Sequence, residues 1–190
     1  VQLSCGKFRM YYTGLGTARP IANSSGYILS AISEDGLNWN KEEGIRIDVK
    51  LPFACNRVLC PEIVPLKDGK WRMYFEGRTN GYPSVILSAI SDDGLDWQYE
   101  SGVRVSNPNW SLGSPRCLFF QEEENNFKYY RLYFHHFSFP LKSGIDSKNH
   151  IVSAISSDGL NFEMEEGVRI MQEDKERESY TVYGSEVIRY

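Results

Sequence analysis

The sequence lacks any apolar run near the ~20 residues that a membrane-spanning helix needs, and it lacks a basic surplus. Its 21 Lys and Arg stand against 25 Asp and Glu, a formal charge of -4. With no basic stripe to neutralise phosphates, and no spanning segment, the composition argues against nucleic acid or a membrane as partner. No charged leader with a short apolar core opens the chain. Val1 rather than Met stands first, which leaves open a processed, trimmed or partial chain, and localisation is undetermined. The four cysteines, Cys5, Cys55, Cys60 and Cys117, form no C-x-x-C pair, and only three histidines accompany them. That pattern argues against a metal cage and predicts buried free thiols rather than disulfides. No metal and no cofactor is expected. What is present is bulk for a core: 190 residues, 41% hydrophobic and 14% aromatic, enough for one domain.

The chain repeats itself. The stretch Ile86-Leu-Ser-Ala-Ile-Ser-Asp-Asp-Gly-Leu-Asp-Trp97 has close copies at 28–39 and 151–162. Each is an apolar run, an Asp-Gly turn, an aromatic, and a short run ending Gly-Ile/Val-Arg-Ile/Val, which predicts strand, turn, strand. A second element, Lys7-Phe-Arg-Met-Tyr-Tyr12, recurs at 70–75 and 130–134, with its arginines at Arg9, Arg72 and Arg131, spaced by 63 and 59 residues. A third precedes it in full twice: Cys60-Pro-Glu-Ile-Val-Pro-Leu66 before the Asp68-Gly69 turn, and Ser114-Pro-Arg-Cys-Leu-Phe-Phe120 before a longer acidic turn. The period is thus about 60 residues, four strands in meander order.

Repeated four-stranded meanders predict an all-β fold, a β-propeller with the first strand of each blade innermost. Proline at Pro65 suits a strand with one open edge. Repeats of 40–45 residues are excluded by the period, and helical solenoids by the two-residue alternation. Gly184-Ser-Glu-Val-Ile-Arg-Tyr190 aligns with Cys60 to Leu66 as another innermost strand, while Val1-Gln-Leu3 aligns with the end of one. A single propeller-type domain over 1–190 is therefore expected, with repeats over 1–49 plus 182–190, 50–107 and 108–174. Two accounts follow. In a homodimer, two chains exchange terminal strands and close six blades; alternatively the chain is part of a five-bladed parent of about 300 residues.

The pattern Ser-x-Asp-Gly-Leu-x-Trp, with Pro61-Glu-Ile-Val-x-x-x-Asp-Gly-Lys-Trp-Arg-Met-Tyr74, resembles the five-bladed propeller glycosidases of glycoside hydrolase families 32, 43 and 62 and the related mannoside phosphorylases. It is also similar to the sialidase Asp-box. The resemblance covers nearly the whole chain and is more specific for blade architecture than for activity. Asp35, Asp93 and Asp158 are expected to hold turn amides, Gly36, Gly94 and Gly159 to supply unusual dihedrals, and Trp39, Trp97 and Phe162 to pack between blades. Arg9, Arg72 and Arg131 are expected to bridge strands or blades.

Function is expected where the copies differ. The start of an innermost strand and the end of the second lie at one mouth of the ring, and these positions carry Glu62, Arg116 and Glu186, then Thr13, Glu76 and His135. The resemblance implies carboxylates from different blades around that mouth, one a base or nucleophile, one an acid and one a supporting group. Cleavage of a glycosidic bond needs two carboxyl groups about 5–9.5 Å apart, one of them protonated. Glu62 resembles the supporting position, and Glu186 is the candidate base or acid. Arg116, Glu76, His135 and Trp110 are candidate substrate contacts, Arg116 through its bidentate fork and Trp110, in the loop before the third innermost strand, as a stacking platform or, equally, as a side chain packed on its own blade. His135 and His136 must point to opposite faces of their strand, so one of them reaches the channel. The family's Asp-Pro pair is absent, Leu59 stands where an acid can precede Cys-Pro, and Ser114-Pro-Arg116 lacks an expected acid.

The expected function is a carbohydrate-active, glycoside hydrolase-like protein taking a glycan or small sugar. Two other readings stay open: a non-catalytic glycan-binding or assembly module, and a fragment of a longer glycosidase or phosphorylase. In the phosphorylase variant, phosphate is the nucleophile and Arg116 and His135 hold it.

Overall fold

A computed structural model describes residues 1–20, 23–121, 128–140, 149–171, 173 and 182–188. The strands are β1 (Phe8–Leu15), β2 (Gly26–Ser33), β3 (Asn40–Lys41), β4 (Arg57–Pro65), β5 (Trp71–Arg78) and β6 (Val85–Ser91), then β7 (Gln98–Tyr99), β8 (Trp110–Gln121), β9 (Lys128–Ser138), β10 (His150–Ser156), β11 (Glu163–Met164) and β12 (Ile170–Met171). Among the described residues the fold is all-β, in two sheets. It is consistent with part of a propeller.

Consecutive strands pair antiparallel in three meanders, β1–β3, β4–β7 and β8–β12. The first two are joined into one seven-stranded sheet through a single parallel pairing, Gly26 with Arg57. The outermost strand of each meander is broken: two residues pair, the chain bulges over a Gly-Ile/Val-Arg turn, and it returns to bond Ile28, Ile86 or Ile151. The end of the first strand in the first meander lies where the sequence alignment placed it. Leu3 N bonds Lys7 O at 2.7 Å and Gly6 N bonds Leu3 O at 2.9 Å, repeating Leu66 to Lys70 at 2.8 Å and Gly69 to Leu66 at 3.2 Å. Gly6 and Gly69 take φ of 87° and 84°, the left-handed region that favours glycine.

The core lies between meanders. One cluster joins Val64, Tyr74, Ile86, Leu112, Leu132 and Phe134 across the two sheets, and the other joins Ile28, Val58, Met73, Phe75 and Leu87 between the first two meanders. The middle meander is covered on both faces, so β6 is buried along nearly its whole length, Ser88 included, where a half-exposed strand would alternate.

The repeated motifs do structural work, as expected. Asp35 Oδ1 accepts from Leu37 N and Asn38 N, both at 2.8 Å, while Ser33 Oγ accepts from Gly36 N at 2.9 Å. The same bonds recur around Asp93 and Asp158. These amide donors stabilise the ionised form and hold the carboxyls of Asp35, Asp93 and Asp158 below the ordinary range. Arg9 and Arg72 each bond a glutamate on their own meander, Glu42 and Glu100, and reach the next meander at Asp93 O (2.8 Å) and Asp158 O (3.2 Å). Tyr11 and Tyr74 hydroxyls donate to Gly94 O and Gly159 O, and their rings meet Trp97 and Phe162 edge-on. Arg131 pairs with Glu165 at 2.8 Å.

Three expectations are corrected. All four thiols are free, yet Cys5 and Cys55 are exposed, because both stand in turns outside the packed strands. Trp110 is the first residue of β8, not a loop residue. The segment 182–188 has no strand pairing of its own and meets β8 and β9 through the side chains of Glu186 and Tyr183; Arg189 and Tyr190, like most of the acidic turn after Gln121, lie outside the described residues.

Candidate functional site

Two kinked inner strands build the site. Pairing of β4 with β5 slips between Leu59 and Glu62, and pairing of β8 with β9 slips between Gly113 and Arg116. These are β-bulges, which re-aim side chains next to sites. Within each, the residue before proline takes a positive φ: Cys60 at 53° and Ser114 at 49°. Such a conformation costs a non-glycine residue of order 1 kcal/mol or more and persists only when its surroundings hold it. Gly184, the third member of the sequence alignment, has φ of 68°, so the segment 182–188 repeats the bend without its strand pairing.

Contacts run from each meander to the next bend. Thr13 Oγ1 accepts from Cys60 N at 3.0 Å, and Ser114 Oγ donates to Cys60 Sγ at 3.4 Å. Glu62 Oε1 accepts from Cys117 N at 3.1 Å. Arg116 Nε lies 2.8 Å from Glu186 Oε2 and 4.0 Å from Glu62 Oε2. One guanidinium thus stands between two carboxylates from different parts of the chain. Glu62 is mostly buried, whereas the Glu186 side chain is 70% exposed.

Glu76 and His135 sit deeper. Glu76 is 1% exposed and ion-paired with Arg78 two residues along the same face of β5. A Cβ on Gly113 would stand 2.3 Å from Glu76 Oε2 and 2.8 Å from His135 Nε2. The glycine is therefore what admits both groups. His135 is 1% exposed, neither ring nitrogen has a hydrogen-bond partner among the described residues, and Tyr183 covers it with ring centroids 4.7 Å apart.

Burial raises the Glu62 carboxyl above the ordinary carboxylate range, against the opposing pull of the Cys117 amide and Arg116. Burial, then Arg78 and His136, push His135 down to about 4. Burial and His150 push His136 down to about 4 as well. Between pH 6.5 and 4 the unfolded chain binds these protons and the folded chain does not, so stability is fully present above 6.5 and falls as pH drops through that window. His135→Gln is expected to flatten the slope by about one proton, roughly 1.4 kcal/mol per pH unit, in urea melts from pH 7 to 4; an unchanged slope would remove His135 as its source.

Of the sequence candidates, Glu62, Arg116 and Glu186 come together, with Glu76 and His135 beside them across Gly113. Trp110 does not join them. It stacks on His136 at 4.3 Å, within its own sheet. The two adjacent histidines do face opposite ways, one to Glu76 and one to Trp110. Sequence reasoning passed over Gly113, although a glycine inside a strand signals close approach, and passed over the pairing of Arg78 with Glu76, although an arginine two residues away shares its face. Tyr183 carried no signal.

No family model matches the chain. Two uncharacterized proteins of Mycobacterium tuberculosis, from strains CDC 1551 / Oshkosh and ATCC 25618 / H37Rv, are each 32% identical over 109 residues, 55% of this chain and 35% of their own length. The chain spans about a third of the length of these curated relatives. Among solved structures, one described as a glycoside hydrolase superposes on all of this chain with a TM-score of 0.75 at 15% identity, over 57% of its own chain. The Bombyx mori GH32 β-fructofuranosidase BmSUC1 matches 86% of this chain and 35% of its own, with a TM-score of 0.62 at 19% identity. A Bacteroides ovatus glycosyl hydrolase matches 88% of this chain and 49% of its own, at 0.66 and 14%. At these identities the likeness shows the fold alone: an all-β arrangement consistent with part of the propeller of these neighbours.

Proposed function

We propose that this chain is a carbohydrate-active, glycoside hydrolase-like propeller unit that takes a glycan at the mouth formed by the bends of β4 and β8. The observation that carries the reading is the placement of Glu62 and Glu186 on either side of Arg116. Glu62, held above the ordinary range by burial, is the group suited to donate a proton to the leaving glycosidic oxygen. Glu186, more open to solvent, is the group suited to act on a water or on the anomeric carbon. The sequence resemblance put Glu62 in the supporting role; its burial favours the acid. Arg116 orients both carboxylates, and His135 and Glu76 line the site below them. The three repeat units assigned from the sequence belong to this reading. So does the exchange of terminal strands between two chains, for which β1, paired along 10–15 with β2 alone among the described residues, offers its other edge; a longer parent would supply the same strand. A solution mass of 21.8 kDa removes the dimer.

Glu62→Gln is expected to lower turnover of aryl-glycosides or oligosaccharides by about 10²–10⁴-fold, the range of a lost general acid, with little change in melting temperature. Unaltered turnover would exclude Glu62 from the chemistry. A second reading, glycan binding without cleavage, is favoured by the ion pairs that already neutralise Glu76 and Glu186. It predicts sugar binding that survives both Glu62→Gln and Glu186→Gln, with no hydrolysis and no phosphate-dependent turnover by the wild type.

A further inference from the structure

A cavity of about 510 Å³ opens at the same end of the strands as Glu76, and none of Glu62, Glu76, Arg116 or Glu186 lines it. It lies between the approach to β4, the β5–β6 turn and the connection from β7 to β8. Pro83, Val85, Val103 and Pro108 line it together with the rings of Phe53 and Tyr82, which are 55% and 69% exposed. Phe53 takes φ of 67°, a strained conformation for a residue with a side chain and one that clusters at ligand clamps. The volume falls within the range of small-molecule sites, ~300–1,000 Å³.

The lining is mainly apolar, and two of its polar side chains are already engaged. Thr79 Oγ1 accepts from Cys55 N at 3.2 Å, and Asn107 Oδ1 accepts from Asn109 N at 2.9 Å. Two exposed rings over aliphatic walls suit a flat apolar group. The cavity is also tied to the carboxylate site by a single strand. Thr79 follows Glu76 by three residues, about 10 Å at strand rise, which is within reach of a group attached to a sugar at the mouth.

We propose that this cavity binds an aromatic aglycone, so that the preferred substrates are aryl glycosides rather than unsubstituted oligosaccharides. The assignment of the sugar rests on the glycoside reading above; the aglycone site is tested without any sugar. Free umbelliferone is titrated into the full chain and read by fluorescence polarisation, while alkylation of Cys55 by iodoacetamide is followed by peptide mass spectrometry. Cys5, also exposed and outside the cavity, is the internal reference.

Saturable binding with slower alkylation of Cys55, and unchanged alkylation of Cys5, is expected. Ser106→Trp, a substitution at an exposed residue of the lining, should fill the cavity and weaken binding by about tenfold or more, with circular dichroism unchanged; Tyr82→Ala should weaken it as well. Glu62→Gln should leave it intact. Absence of saturable binding, equal protection of both cysteines, or wild-type affinity in Ser106→Trp overturns the proposal, and does so whether or not glycosides are cleaved. Binding with Cys55 protected sustains the aromatic site even if no glycoside is turned over, in which case the carboxylate reading has failed and the aryl-glycoside preference with it.

Discussion

Gly113→Ala is expected to destabilise the protein by about 3 kcal/mol and to abolish whatever the mouth does, through one methyl group. The new Cβ would stand 2.3 Å from Glu76 Oε2 and 2.8 Å from both Glu76 Cδ and His135 Nε2. Neither partner has room to move, each being 1% exposed. Overpacking of this kind costs about 1–3 kcal/mol, and turning Glu76 away would strip a buried carboxylate from Arg78, a loss of the ~3–5 kcal/mol class when complete. Gly14→Ala is the control. Its Cβ would meet only the Leu29 side chain, at 2.7 Å, in the meander that is covered on one side, and a cost under about 1 kcal/mol is expected of a site that can yield. Urea midpoints at constant m-value measure both. The double variant Gly113→Ala with Glu76→Ser should recover at least ~1 kcal/mol, as coupling between touching residues requires. Equal losses in Gly113→Ala and Gly14→Ala, or no coupling with Glu76, would show that Gly113 is an ordinary strand glycine.

Arg72→Ala should be the most damaging change away from the mouth, at about 3–5 kcal/mol for breaking a buried ion pair. Its Nε and Nη2 meet both oxygens of Glu100 at 2.9 and 2.8 Å, its Nη1 reaches Asp158 O in the other sheet, and the two side chains are 8% and 15% exposed. Removing it leaves Glu100 half-buried with only the Ser88 hydroxyl, at 2.7 Å, and unhooks the two sheets at one point. Replacing both partners, as Arg72→Met with Glu100→Leu, is expected to recover much of the loss, because an apolar pair leaves no buried charge. By contrast Lys70→Ala, which removes the exposed pair with Asp92 (side chains 42% and 79% exposed), should cost about 0–1 kcal/mol. A small effect of Arg72→Ala in thermal and urea melts would mean that the repeated arginine is not a clamp between sheets.

How much of this was legible in the residues depends on how local each feature is. The Asp-Gly hairpins were readable because a turn is decided within five residues by its own donors, acceptors and dihedrals, and Ser33, Asp35 and Gly36 form the bonds that their types predict. Arg9, Arg72 and Arg131 were readable as structural because they recur in register. The alignment of residues 1–3 with the end of an inner strand was readable too, since the Leu3 and Leu66 turns share one bonding pattern. For Trp110 both a sugar platform and packing on its own blade were open, because the same aromatic face can stack on a sugar or on a ring of its own sheet, and it is His136 on the partner strand that it meets. At the chain end Gly184 has the dihedral of its counterparts, while residues 182–188 pair with no strand, because a strand needs a backbone partner as well as the right residues.

The sequence by itself therefore determined the all-β meander class, the hairpin chemistry and the short roster of residues that break the repeat. Those are consequences of period, turn composition and difference between copies. Tertiary structure alone decided that Arg116 stands between Glu62 and Glu186, that Gly113 makes room for Glu76 and His135, and that Glu62 is the carboxyl kept above its ordinary range. Each depends on how closely two sheets approach and on which groups water can still reach, quantities set by packing between residues 50 or more positions apart.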